Sequence, residues 1–156
     1  MAVVTKYGPG YQDPDKLTLP AAINAGGVKP NVLIGDVAIA NGDSATSVVY
    51  VGKVPSSAIF VPELCALTHT AITGLTDLDA GFTENVDALA DGLDVSSAGV
   101  KSLLAAVSTA NLAKRAWQIA GLASDPKRPL TVMLTLNAAA AAAGTLSWRF
   151  GFVNEV

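Results

Sequence analysis

Beyond residue 30, apolar and polar positions alternate with a period of two along most of the chain, the signature of strands that bury one face. The alternation is clearest near the C-terminus. In LTVMLTL, Thr131, Met133 and Thr135 alternate with Val132, Leu134 and Leu136; in TLSWRFGFV, Leu146, Trp148 and Phe150 alternate with Thr145, Ser147 and Arg149. The two runs predict an antiparallel strand pair, bridged by Asn137, six alanines from Ala138 to Ala143, and Gly144. Upstream, VLIGDVAIA and SVVYVGKV flank Asn41-Gly42-Asp43, which predicts a hairpin around an Asn-Gly turn. AIFVPELCALT and the stretch from Leu75 to Phe82 add strands, with Pro62 marking an edge or a bend. AKRAWQIAG, from Ala113 to Gly121, reads as another strand ahead of a turn at SDPKRP.

Two segments depart from this rhythm. In NVDALADG, Val86, Leu89 and Ala90 fall at helical spacing, Asp87 and Asp91 share another face, and Gly92 is placed to stop a short helix. SLLAAV beyond it fits a helical turn and a strand equally well. The second departure is residues 1–31, where Pro9, Pro14, Pro20 and Pro30, with Gly8, Gly10, Gly26 and Gly27, break any regular period. This stretch reads as an extended arm, draped on its own domain or docked on a neighbour. Tyr7, Pro9 and Tyr11 are its candidate contacts with a partner surface or a second subunit, tyrosine being a residue that interfaces favour. Residues 32–156 then form one body. Many short strands with little helix predict an all-β fold, an antiparallel β-sandwich.

Composition adds a constraint on surfaces. The chain has 156 residues, of which 51% are hydrophobic and 15% charged, with a mean hydropathy of +0.43. One domain of that size buries a core without disulfides. With so few charges, some apolar area is expected to be covered by partners or by copies of the same chain. The net charge is −3 and the ten basic residues are scattered, with doublets only at Lys114–Arg115 and Lys127–Arg128. That distribution argues against nucleic-acid binding, which gathers cations along one face. The N-terminal segment does not read as a secretory signal and no apolar run is long enough for a membrane span, so a protein soluble until assembled is expected.

Candidate chemistry is sparse. Cys65 is the single cysteine and His69 the single histidine; a cysteine-based zinc site would lack ligands, and the PELCALT context reads as a small buried apolar residue. The spacing of Cys65 and His69 admits a dyad, but no acidic orienting residue stands beside them in the sequence. Asp77, Asp79, Glu84, Asp87, Asp91 and Asp94 form the one acidic group. Their spacing misses the calcium-loop pattern, and solvated turns explain them more simply. Neither a phosphate-binding glycine loop nor a GxSxG nucleophile motif is present. No catalytic residue, cofactor or metal site is therefore assigned.

The order of segments carries a resemblance. An arm, GDVAIANGDSATSVVYVGKVP, SAIFVPELCALTHTAITGLTDLDAGF, a NVDALADGLDVSSAG insertion, AKRAWQIAGLASDP and the alanine-bridged terminal runs resemble the head decoration (cement) and minor virion structural proteins of tailed bacteriophages. The resemblance spans roughly residues 32–153; the arm matches poorly. It implies a jelly-roll-like sandwich on the outer surface of a virion capsid, made in the host cytoplasm and bound to the major capsid protein. It also implies a homo-oligomer, a trimer favoured, with no cofactor, no nucleic acid and no membrane. A tail, neck or fibre-associated virion protein is the alternative, and a carbohydrate-active or carbohydrate-binding sandwich the third. An acidic pair facing a groove lined by Trp117 or Trp148 would favour the last.

Overall fold

The structure, a computed structural model, describes residues 3–7 and 30–154. Among the described residues, ten strands form two sheets: β1 (Thr5–Tyr7), β2 (Asn31–Ile39), β3 (Val48–Val54), β4 (Ala58–Phe60), β5 (Ala66–His69), β6 (Leu78–Phe82), β7 (Asn85–Ala90), β8 (Gly99–Ser102), β9 (Leu130–Leu136) and β10 (Gly144–Asn154). One sheet runs β1-β3-β9-β6-β7; the other runs β2-β10-β5-β8, with β4 also pairing β10. A single hydrophobic cluster lies between them, drawing Val49, Leu134 and Phe82 from the first sheet and Ile39, Leu67 and Phe150 from the second. The all-β sandwich expected from the alternation is the observed fold.

Pairing differs from the sequence reading in two places, for one reason. β9 and β10 are not partners: β9 lies between β3 and β6, and β10 lies between β2 and β5. Nor do β2 and β3 form a hairpin, since they belong to opposite sheets. Alternation says which face of a strand is buried but not which strand lies beside it. Both connectors are also long enough to cross the core. The Asn-Gly turn does form, with Gly42 at φ 92° and Asp43 N–H donating to the Ala40 carbonyl at 3.2 Å. It turns the chain across the sandwich instead of back along the same sheet.

Two elements exchange type. The predicted helix around Asp87 is strand β7, which pairs antiparallel with β6 through Ala80↔Ala90 and Phe82↔Asn85. A helix of one or two turns is marginal by itself, whereas β6 offers a ladder only two residues away. Conversely, the predicted strand Ala113–Gly121 contains the short helix α1, Ala116–Ile119. The Gln118 side chain accepts the Arg115 N–H at 3.0 Å at its start, and Gly121 at φ 77° ends it. Pro62 opens a 3₁₀ turn, Pro62–Leu64, between β4 and β5, which is the bend expected there. SLLAAV begins at the end of β8 and continues as turns.

Within the N-terminal segment, Thr5–Tyr7 is a strand lying parallel to Val48–Tyr50 of the same chain. Pro9 and Tyr11 lie outside the described residues, and for Tyr7 only the backbone pairing with Tyr50 is described. No helix among the described residues is long and apolar enough to cross a membrane.

Candidate interaction face

The outward face of the β2-β10-β5-β8 sheet is the most distinctive surface. The pairing registers set its side chains in rows: Ile34, Arg149, Ala66 and Ser102 in one, Asp36, Ser147, Thr68 and Val100 in the next. Because the residues alternate, the opposite set points inward, and Leu146, Trp148 and Phe150 are buried as their spacing predicts. Small side chains in the centre leave a shallow trough of about 670 Å³. Its flanks carry Ile34 at 72% and Val100 at 65% exposure, the two most exposed large apolar residues among those described. Two such residues bordering one trough are the kind of apolar surface that marks a contact site.

The same face presents Asp36 and Arg149 as polar handles, and neither forms an ion pair among the described residues. Among the described strands, β2 is also at the edge of its sheet. The Ala38 carbonyl at its end accepts the Lys6 ammonium at 2.7 Å, so that carbonyl points away from β10. By the alternation of antiparallel pairs, Ile34 and Asp36 direct their peptide groups to the same outer edge. An exposed edge beside an apolar trough offers hydrogen bonds and hydrophobic contact together.

The acidic residues are brought closer than their spacing suggested. Asp79 is buried and accepts the Gly92 N–H at 3.0 Å, and Asn137 donates to both Asp77 and Asp79. The Asp91 carboxyl is pushed above the usual carboxylate range, chiefly by the Asp79 charge, then by desolvation and by Asp87 and Asp77. Asp79 and Asn137 thus tie β6 to the start of the alanine bridge. No group of three or more His, Cys, Asp or Glu side chains among the described residues is arranged to hold a metal ion. A second, polar cleft of about 320 Å³ is lined by Asp87, Asp91, Asn111, Lys114 and Gln118, with neither tryptophan in its wall. The acidic pair facing a tryptophan-lined groove, the feature that would favour a carbohydrate site, is not formed in either described trough. Glu84 is taken by Arg128 at 2.8 Å; that guanidinium is more than half exposed, so the pair contributes less than about 1 kcal/mol.

Cys65 and His69 form no dyad. The thiol donates to the Gly151 carbonyl at 3.4 Å, while the His69 Nδ1 meets the Thr70 carbonyl at 3.2 Å and Nε2 is enclosed without a partner among the described residues. Burial is the main cause that pushes the Cys65 thiol up to about 11. Thiolate is thus scarce at neutral pH and sterically shielded. A maleimide or disulfide reagent at pH 8 is expected to label Cys65 only at the rate of global unfolding; rapid labelling of the native protein would show that the Gly151 contact opens locally.

No protein-family model and no curated protein matches the chain. Among solved structures, its fold is similar to a chain in the capsid of Ralstonia phage GP4, with 16% sequence identity and a TM-score of 0.64, covering 98% of this chain and 99% of that one. It is also similar to a chain of the cyanophage Pam1 capsid asymmetric unit, with 14% identity and a TM-score of 0.59, covering 94% of this chain and 99% of that one. At these identities the likeness is one of fold, and it extends over nearly the whole length of both partners in each comparison.

Proposed function

We propose that the protein is a structural component of a phage virion, a decoration (cement) protein that binds the outer surface of the major capsid shell and stabilises it. The observation that carries this reading is the end-to-end likeness in fold and length to chains of two phage capsids. The apolar trough on the β2-β10-β5-β8 face supplies the contact surface. The work is passive and needs no catalytic residue, cofactor, nucleic acid or membrane. Each copy adds buried interface at a junction of shell subunits, and many copies act together through multivalency. In this reading residues 32–156 are the body, and residues 1–31, with Tyr7, Pro9 and Tyr11, reach neighbouring subunits in a homo-oligomer, a trimer favoured. Synthesis takes place in the host cytoplasm before attachment.

Purified protein is expected to bind expanded capsids that lack it, in a fixed ratio to the shell protein, and to raise their disruption temperature. Ile34→Asp and Val100→Asp should fold normally, because both side chains are exposed. A carboxylate pressed into an apolar contact costs several kcal/mol, so each variant should weaken attachment by at least about tenfold. Binding to tails alone, or to neither particle, would show the assignment to be wrong. Full attachment of both variants would move the contact to another face.

A further inference from the structure

The way strand β1 is held suggests where it comes from in the assembled protein. The strand pairing, hydrogen bonds and ion pair described for its receiving socket all fall within residues 38–50. Val48–Tyr50 supplies the strand edge, the Ser47 Oγ accepts the Val4 N–H at 3.1 Å, and the Val48 N–H donates to the Val4 carbonyl at 3.0 Å. Asp43 is buried, and beyond the Ala40 N–H at 2.9 Å its carboxylate is neutralised by Lys6, which also caps the Ala38 carbonyl. A buried carboxylate left without a cation is costly, so the socket requires a strand carrying Lys6. Nothing in the socket requires that strand to belong to the same chain.

The connection makes the alternative reachable. Between Tyr7 and Asn31 lie residues 8–30, a length that extends to roughly 75–85 Å at full stretch. The nine residues of β2, which begin at Asn31 and end beside the Lys6 contact at Ala38, cover only about 30 Å. The tether therefore exceeds what closure on its own body demands. An identical socket on an adjacent copy offers the same bonds at no loss of contact, which is the condition for exchange of an element between protomers.

We infer that Val3–Tyr7 is an exchanged strand: in the oligomer it enters the Asp43 socket of a second copy, and Lys6 of one protomer neutralises Asp43 of the next. This goes beyond the capsid reading and does not depend on which particle surface the trough meets.

The test uses the full chain with cysteines at one register pair, Thr5 and Val48, which stand opposite each other across β1 and β3. Directly paired strand residues are close enough for a disulfide. Thr5 is exposed, Val48 only partly buried, and native Cys65 is enclosed, so the substitutions leave the core intact. Thr5→Cys and Val48→Cys chains are unfolded together, refolded as an equal mixture and oxidised. Exchange gives a disulfide-linked pair, one chain of each kind, that is absent when either variant is treated alone. The double variant then yields linked chains or closed rings. A double variant that oxidises to single chains only, with no heterodimer from the mixture, would overturn the inference. That result would leave the capsid-binding experiment unaffected.

Discussion

Trp148→Ala is expected to bring the protein to the edge of unfolding at room temperature. Trp148 lies in β10, which pairs with β2 along nine residues on one side and with β5 on the other. Its indole is 2% exposed. Its register partner on β2 is Gly35, which brings no side chain into the space that truncation opens, and the flanking strands are fixed by their own ladders. The cavity therefore has little means of collapse, which places the cost at about 3–5 kcal/mol, a large share of the 5–15 kcal/mol typical of a domain. In urea the midpoint should fall by about 1–3 M with an unchanged slope. A shift below about 0.5 M would mean that the β10 face does not form the centre of the core.

The second large effect is expected at Gly81→Ala. Gly81 sits at the irregularity between Ala80 and Phe82 in β6, where β7 folds over it. A Cβ there would lie far inside van der Waals distance of the Asn85 and Val86 carbonyl oxygens. Both obstacles are backbone, so relief requires β7 to lift from β6 while Leu89 and Ala90 remain buried in the core. Overpacking of this kind costs about 1–3 kcal/mol and occasionally more. Gly99→Ala is the matched control, since its nearest neighbour is the His69 ring at 3.8 Å. Amide exchange should accelerate along Asn85–Ala90 in the first variant and remain native in the second. Equal exchange in the two would show that β7 yields freely.

These two positions illustrate what the sequence can carry. The face that buries Trp148 is legible because alternation is a local property, and Leu146, Trp148 and Phe150 announce it without reference to any partner. The same holds for Cys65 as a buried residue, for the bend at Pro62 and for the all-β class. Pairing partners are not local. β9 and β10 look like a hairpin because they are adjacent in the chain, yet their neighbours are β3, β6, β2 and β5. The Asn85–Ala90 strand is hidden for a related reason: the spacing of Val86, Leu89 and Ala90 suits a helix, and only the bare backbone of Gly81 beside it favours a strand. The candidate interaction face is legible in neither way. Ile34 and Val100 are 66 positions apart, and they meet around one trough only because β2, β10, β5 and β8 stand in that order. In the N-terminal segment, aromatic and proline content draws attention to Tyr7, Pro9 and Tyr11, whereas the structure adds Lys6, whose partner Asp43 lies 37 residues away.

The two connectors that cross the core also lace to each other. Gly42 N–H donates to the Ala140 carbonyl at 2.8 Å, Ala140 N–H to the Asp43 carbonyl at 2.9 Å, and Leu136 N–H to the Ser47 carbonyl at 2.9 Å. Residues near position 40 are thus bonded to residues near position 140, just as β2 is bonded to β10. Each of these contacts must close a loop of about a hundred residues before it yields any stabilisation, which makes folding slow, on the scale of milliseconds to seconds or longer. Neither sheet can peel away while the lacing holds, so contacts formed late in folding must break first in unfolding, and the native lifetime lengthens accordingly. For the virion component proposed above, which could not be replaced once the particle has left its host, the rate of unfolding would govern endurance more than the equilibrium does.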